Sequence, residues 1–195
     1  MAFLHGQEVA RLLERVDQED INILKGWLQT VAAWNGRVYT AGNGGSAANA
    51  SHLAAHLNEC GIAATCLSDN LVRFSALAND INYEQVFAIQ LEGLPLGQND
   101  SVVVLSCSGN SPNVLRLLEF AKEANVANRI GLLGFGGGKA QDFCNLSIRL
   151  DSLDYGAIED CHSAIIHAIR KVLLTDGHSP APPISTNVIS IKRGY

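Results

Sequence analysis

The sequence lacks a long apolar run and a cluster of basic residues, and each absence excludes a class of protein. No apolar stretch approaches the roughly 20 residues that cross a bilayer, and the N-terminal segment becomes charged too early for a signal peptide. With a net charge of −5, the chain offers none of the concentrated cations that bind a nucleic acid. We therefore expect a cytoplasmic protein with neither a membrane nor a nucleic-acid partner.

The cysteines also lack the spacing that is typical of metal sites or disulfide frameworks. The chain has five cysteines, an odd number without any C-x-x-C pair, and most lie in apolar segments. This pattern argues against a disulfide framework. We expect reduced and mainly buried thiols at Cys60, Cys66, Cys107, Cys144 and Cys161.

The 195 residues are 47% hydrophobic, which is enough for one compact core. We expect a single domain over 1–195, with N-terminal helices over 1–34 and an α/β core over 35–175. Helical spacing of apolar residues from Glu8 to about Trp34 predicts two helices or one interrupted helix. The proline-rich tail at 176–195 cannot begin as a helix, and is either flexible or an arm on a neighbouring subunit.

Five short apolar segments in the core read as strands. They are RVYTAG, AATCLS, SVVVLSCS, RIGLLGF and LSIRL, mostly separated by helix-like stretches at 47–58, 72–92, 112–124 and 139–144. A last helix is predicted over 157–174. Continuous apolar runs fit strands buried on both faces, and strand–helix alternation favours a parallel sheet. The sequence therefore predicts a three-layer α/β sandwich.

Two of the predicted strand-to-helix junctions are rich in glycine and serine. GNGGS at 42–46 follows the first strand, and SCSGNS at 106–111 follows the third. Glycine lets the backbone approach a ligand, and free N–H groups at a helix start favour an anion. Because parallel strands end at one edge of the sheet, the two loops predict a cradle for one phosphate. For either loop alone, a tight turn with a helix N-cap is the alternative.

Neither glycine stretch matches a nucleotide-binding fingerprint. GNGGSA lacks the G-x-G-x-x-G spacing, and GFGGGKA at 134–140 has too few residues between its glycines for a P-loop. Lys139 is also not followed by Ser or Thr. A dinucleotide or ATP is therefore not the expected ligand, and the glycines at 136–138 are expected to form a flexible turn.

Two histidines stand one helical turn apart behind the first loop. His52 and His56 share a helix face, so they either bind one metal ion or form an ordinary solvated pair. The last helix adds Glu159 and His167, which an ideal helix separates by about 80° and 12 Å. These two reach one ion only if Glu159 lies at a bent or frayed helix start, which Gly156 permits. The residues alone leave the metal site open.

Five stretches together resemble the sugar isomerase (SIS) domain family, and within it the phosphoheptose isomerases. They are AGNGGSAANASHLAAHL, ALANDINYEQVF, SCSGNSPNVLRLLEFAKE, GFGGGKAQDF and EDCHSAIIHAI, in an order and spacing that cover about residues 8 to 175. The resemblance implies a flavodoxin-like core and cytoplasmic homotetramers with active sites at subunit interfaces. It also implies conversion of sedoheptulose 7-phosphate to D-glycero-D-manno-heptose 7-phosphate, in the biosynthesis of nucleotide-activated heptose.

The resemblance further implies a set of site residues. The sugar phosphate would be bound by both loops, by an Asn-Asp pair and by Glu159, which adds Asn43, Gly44, Gly45, Ser46, Ser106, Cys107, Ser108, Ser111, Asn79 and Asp80. One Zn²⁺ per subunit would be held at four positions, which are His52, His56, Glu159 and His167. The family has Glu where this chain has His56, and Gln where it has Glu159, so a carboxylate moves from one side of the site to the other.

The resemblance also implies a mechanism. Aldose–ketose isomerisation passes a proton between adjacent carbons through an enediol, and it needs a base, an acid and stabilisation of an oxyanion. Zinc would provide the last as a Lewis acid. Because a histidine replaces the family's helix Glu, we expect Glu159 or His56 to act as the base and His167 as the acid.

Two other functions stay open on the sequence. The stretch with a basic residue in the family reads LNECG here, and Cys107 replaces the usual Thr, which favours an enzyme for a different sugar phosphate. A non-catalytic SIS regulator, similar to the relative that binds the bacterial replication initiator, is the second alternative. Such a regulator shares the first loop but has no need of converging metal ligands.

Overall fold

The computed structural model describes residues 2–175, so the predictions for the tail at 176–195 fall outside the described residues. The chain begins with two helices, α1 (Ala2–Leu13) and α2 (Gln18–Ala33). The carboxylate of Asp17 accepts a hydrogen bond from the backbone N–H of Glu19 and caps α2. The N-terminal segment is therefore two helices, one of the two arrangements that its apolar spacing predicts.

A five-stranded parallel sheet forms the centre of the molecule. Its strands are β1 (Val38–Gly42), β2 (Ala64–Cys66), β3 (Ser101–Ser106), β4 (Asn128–Leu133) and β5 (Leu146–Arg149). All pairings are parallel, and the strand order is β2-β1-β3-β4-β5. This is the flavodoxin-like order, and it confirms the predicted α/β class.

Five further helices connect or follow the strands. They are α3 (Gly45–Glu59), α4 (Leu71–Asp80), α5 (Val86–Glu92), α6 (Pro112–Glu123) and α7 (Tyr155–Thr175). The single helical stretch predicted over 72–92 is thus broken between α4 and α5. The side chain of Asn82 accepts from the backbone N–H of Gln85 and starts a new 3₁₀ turn there. The stretch at 139–144 is only a 3₁₀ turn, Ala140–Phe143.

The helices cover both faces of the sheet and form three layers. Apolar residues of α2, α3 and α7 pack in one core cluster with Val103, Leu105 and Ile130. Residues of α5 and α6 pack in a second cluster with Val102 and Val104, whose side chains point to the opposite face. Of the helices described, none is both long and apolar enough to span a membrane.

The arrangement places the loops after β1 and β3 side by side. These two strands are hydrogen-bonded neighbours, with Gly42 opposite Leu105. Helix α3 then leaves toward one face of the sheet and α6 toward the other. The gap between them is the switch point of an open α/β sheet, where such folds bind ligands at the carboxyl ends of the strands.

Candidate functional site

A cavity of about 250 Å³ lies at this switch point. The eight loop residues predicted to bind phosphate all line it, together with Leu105, Tyr155 and Glu159. The two loops therefore meet around one space. Of the described residues that line this cavity, Glu159 alone is charged.

The backbone of the first loop requires glycine at two positions. A Cβ on Gly42 would overlap the backbone carbonyl of Ser46. Gly44 has φ +56°, in the left-handed region that side chains rarely adopt. Strand β1 can therefore turn directly into α3, and the first turn of the helix faces the cavity.

The second loop is held by its own hydrogen bonds and by a glycine turn. The Ser106 hydroxyl accepts from the backbone N–H of Gly109, at 3.1 Å between Oγ and N. A Cβ on Gly109 would overlap the carbonyl of Gly137, so the 3₁₀ turn Phe135–Gly137 packs directly against the loop. The glycines at 136–138, expected to be a flexible turn, thus support the serine loop.

An amide pair links the two loops. Asn43 and Asn113 exchange two side-chain hydrogen bonds, each 2.9 Å long, and the hydroxyl of Tyr83 donates to Asn43 Oδ1 at 2.8 Å. Asn113 is fully buried at the start of α6. Neither Asn113 nor Tyr83 is predicted from the sequence, because nothing in the local pattern shows that their side chains meet Asn43.

The two helices that start at the cavity have no side-chain cap. Asp17 and Asn70 cap α2 and α4 with their side chains, whereas the N-cap residues of α3 and α6, Gly44 and Ser111, make no such bond. Ser111 is therefore an N-cap by position only. The first turn of α3 thus leaves backbone N–H groups for a ligand, whereas α6 begins with Pro112, which has no N–H, and its Val114 N–H donates to Asn113 Oδ1. The dipoles of both helices favour an anion at this end.

Glu159 opposes this anion preference. Its carboxylate packs so closely on Gly45, the first residue of α3, that a Cβ at that glycine would overlap it. The Cys107 thiol lies 3.9 Å from Glu159 Oε1 and 3.7 Å from Ser46 Oγ. Burial raises the pKa of this thiol, and the Ser46 hydroxyl partly offsets the rise. Cys107 is therefore a neutral wall residue and not an activated nucleophile.

Helices α3 and α7 run parallel, and their contacts continue from the cavity to a second cluster. Gly45 contacts the Glu159 side chain, and Asn49 Nδ2 donates to the backbone carbonyl of Glu159 at 2.9 Å. Further along both helices, Glu59 contacts Arg170. The cavity and the cluster described next thus share one helix–helix seam.

Three histidines meet along that seam. His52, His56 and His167 each offer a ring nitrogen, and these atoms lie within 4.8 Å of one another. The ring centroid of His52 lies 4.3 Å from that of His56 and 4.8 Å from that of His167. Burial and the two neighbouring imidazoles lower the pKa of His52. Neutral imidazoles with converging nitrogens are the donors that a divalent zinc-type ion requires.

His56 provides the strongest sign that the cluster fits a metal. Its Nδ1 lies 3.1 Å from Glu59 Oε2, but its Nε2 is buried without a hydrogen-bond partner among the described residues. A buried polar atom that lacks a partner is rare in a folded protein, and an ion at the cluster would satisfy it.

Glu159 does not join the three histidines in this structure. Helix α7 begins at Tyr155, so Glu159 lies within a formed helix and not at a frayed start. The Glu159 carboxylate faces the cavity instead of the histidines. His167 is exposed, and is not a core histidine.

The Asn-Asp pair lies apart from the cavity. Asn79 and Asp80 are exposed at the end of α4, and the Asn79 amide donates to the Asp80 carboxylate at 2.8 Å. Neither residue belongs to the cavity wall. Their place in substrate binding stays a prediction.

Comparison with known proteins identifies similar chains. The SIS domain model matches residues 5–134. A phosphoheptose isomerase from Campylobacter jejuni is 37% identical over 144 residues, covering 71% of this chain and 76% of its own length. One from Rhodospirillum rubrum is 39% identical over 142 residues, covering 69% and 73%. The solved structure of a phosphoheptose isomerase from Neisseria gonorrhoeae superposes with a TM-score of 0.82 at 27% identity, covering 89% of this chain and 95% of that one.

Proposed function

This chain belongs to the SIS domain family, and we propose that it is a sugar-phosphate isomerase that interconverts an aldose and a ketose. The observation that carries the proposal is the cavity formed by both loops, with the three-histidine cluster further along the same seam of α3 and α7. The substrate proposed first is sedoheptulose 7-phosphate, the product being D-glycero-D-manno-heptose 7-phosphate. Similarity to the phosphoheptose isomerases supports this choice.

In this proposal the loops bind the phosphate group. The uncapped first turn of α3 presents N–H groups, and Ser108 and Ser111 add hydroxyl donors. The phosphate would fix one end of the open-chain sugar, so that C1 and C2 extend toward the seam. Binding energy from the phosphate is then used to position the reacting carbons.

His52, His56 and His167 would hold one Zn²⁺ per subunit, whereas Glu159, the fourth ligand predicted from the sequence, lines the cavity in this structure. When bound, the ion would act as a Lewis acid toward the substrate carbonyl and stabilise the developing oxyanion. The buried His56 Nε2, which has no partner within residues 2–175, supports the metal assignment.

Glu159 is the better candidate for the base that removes the proton from C1 and returns it to C2 through the enediol. Its carboxylate lines the cavity, whereas His56 has its Nδ1 against Glu59 and its Nε2 buried. His167 would carry a proton between the two substrate oxygens as general acid. Proton transfer through one positioned carboxylate contributes typically 10²- to 10⁴-fold in rate.

We propose further that the protein is a cytoplasmic homotetramer with active sites at subunit interfaces, a property implied by the resemblance. Large apolar side chains stand exposed around α1, α4 and the start of α7, namely Phe3, Leu4, Leu71, Val72, Leu153 and Tyr155. A second subunit covering such surface would bury it. A native mass of four chains supports this proposal, and a monomer contradicts it.

Turnover of sedoheptulose 7-phosphate is the measurement that tests the function. Protein of known zinc content is assayed before and after chelation, with zinc added back, and Ser108→Ala is the matched loop variant. We expect metal-dependent formation of the aldoheptose phosphate, and a raised KM in Ser108→Ala. Unchanged turnover in the zinc-free protein contradicts the metal assignment, and an unchanged KM contradicts the phosphate cradle.

An isomerase for a different sugar phosphate is the second candidate. Among the described residues, 2–175, no Lys or Arg lines the cavity, so neutral donors of this part of the chain would contact the substrate. Zinc-containing protein that fails to convert the heptose phosphate, but isomerises another phosphosugar, would favour this candidate. Protein that binds no zinc and isomerises no phosphosugar would favour a non-catalytic SIS regulator.

A further inference from the structure

The two nitrogens of His56 lie in different surroundings. Nδ1 is 3.1 Å from the Glu59 carboxylate, one helical turn further along α3. Nε2 is buried and has no partner among the described residues. An ionised carboxylate can only accept hydrogen bonds, so the neutral imidazole must carry its proton on Nδ1 to make this contact. The lone pair is then on Nε2.

Glu59 is itself held from the second helix of the seam. Arg170 of α7 donates from Nε to the same Oε2 atom that faces His56, at 2.7 Å. These two contacts link Arg170 of α7 through Glu59 to His56 of α3, which is itself a member of the three-histidine cluster. His167, the α7 member of that cluster, lies one turn before Arg170.

We propose that Glu59 is a positioning residue for the metal site, and that it fixes the tautomer and ring orientation of His56, with Arg170 fixing Glu59 in turn. The inference rests on the proposed use of the three histidines as metal ligands. A carboxylate behind a ligating histidine locks the ring orientation and raises the basicity of the ligand nitrogen. Nothing in the proposed function assigns Glu59 or Arg170 a role.

Fold stability does not account for this arrangement. The side chains of Glu59 and Arg170 are 50% and 40% exposed. Exposed ion pairs of this kind contribute little to stability. Replacing Glu59 should therefore leave the melting temperature nearly unchanged while it alters the tautomer and ring orientation of His56. That separation distinguishes a positioning role from a structural one.

The first test requires no metal. Nitrogen NMR of the full chain, stripped of metal at alkaline pH, reports which nitrogen of His56 carries the proton. We expect Nδ1–H in the wild type and conversion toward Nε2–H in Glu59→Ala. Nε2–H in the wild type, or an unchanged tautomer in the variant, overturns the proposal.

The second test measures Co²⁺ binding to the same full chain by its visible absorption bands, with a competing chelator. Glu59→Ala is expected to bind about 10- to 100-fold more weakly and with altered bands. Arg170→Met, which keeps the Glu59 carboxylate, is expected to show a smaller loss. Glu119→Ala removes a comparable glutamate–arginine pair from α6, and should bind as the wild type does.

The outcomes separate this inference from the proposed function. Wild type that binds Co²⁺ tightly, with Glu59→Ala binding equally well, overturns the positioning role and leaves the proposed isomerase intact. Wild type that binds no Co²⁺ removes the metal from the proposed function, and the inference falls with it. A lowered melting temperature that fully accounts for the affinity loss also overturns the positioning role.

Discussion

At the scale of single residues, the position of Glu159 stands out. The proposed anion cradle, made of the uncapped start of α3 and of serine hydroxyls, has a carboxylate packed against it. Two negative charges a few ångströms apart repel by about 1 kcal/mol even in water-like surroundings. A bound phosphate and the Glu159 carboxylate therefore compete for the first turn of α3.

Removing the charge of Glu159 should strengthen phosphate binding and abolish catalysis. In metal-free protein, Glu159→Gln is expected to bind inorganic phosphate roughly fivefold more tightly, the equivalent of about 1 kcal/mol. Phosphorus NMR titration measures the affinity, and turnover of the zinc-loaded variant should be lost. Equal phosphate affinity in both proteins contradicts the competition, whereas full turnover contradicts the assignment of Glu159 as base.

The sequence predicts residues on backbone loops better than it predicts side-chain positions. All eight predicted loop residues line the cavity, because glycine spacing and strand ends determine where a loop lies. Glu159 is predicted with the histidines but faces the loops, since a rotamer is chosen by packing and charge that the sequence does not display. Glu59 has a visible signal, a carboxylate three residues after His56, but many such pairs are solvated.

At the scale of elements, the starts of α3 and α6 are joined by the amides of Asn43 and Asn113. The two helices lie on opposite faces of the sheet, so this pair connects the outer layers at the cavity. Sequence periodicity detects each helix separately. It cannot detect the hydrogen bonds between the two amides, because the partners are 70 residues apart.

Asn113→Ala should lower both the free energy of unfolding and the affinity of the two loops for the sugar phosphate. The substitution leaves the Asn43 amide with fewer partners in a part-buried position, at a cost of about 1–3 kcal/mol in the free energy of unfolding. Urea unfolding measures the loss, and KM for the sugar phosphate should rise. Asn22→Ala, on the exposed surface of α2, is the control and should change stability by less than about 0.5 kcal/mol. A variant as stable as that control contradicts a role for the amide pair.

At the scale of the whole molecule, the buried His162 makes the stability of the fold depend on pH. It is fully buried in α7, neither ring nitrogen has a partner among the described residues, and burial lowers its pKa to about 4. The unfolded chain has an ordinary histidine pKa of about 6.5. Between these values the unfolded state binds more protons, so stability falls as the pH decreases through this window.

The expected loss from His162 is about 2 kcal/mol between pH 7 and pH 5. His162→Leu places an apolar side chain that cannot titrate at this buried site, and should remove this part of the pH dependence. Urea unfolding of both proteins at the two pH values measures it. An identical pH dependence in variant and wild type contradicts the assignment to His162.

The fold itself is predictable at this scale because strand–helix alternation and fully apolar strands restrict the architecture to layered α/β types. The strand order follows from no local pattern in the residues. It is implied only by the family resemblance, and the structure confirms it. The break between α4 and α5 is missed because apolar spacing continues across Ile81, where a single capping side chain decides the boundary.

The position of α7 in the chain has a consequence for synthesis. Among the elements described, all five strands and both loops precede it, so it is the last of them to be synthesised. Glu159, His167 and Arg170 arrive only with that helix. During synthesis, the loops proposed to contact phosphate are therefore made before Glu159 and His167, the groups proposed as base and acid.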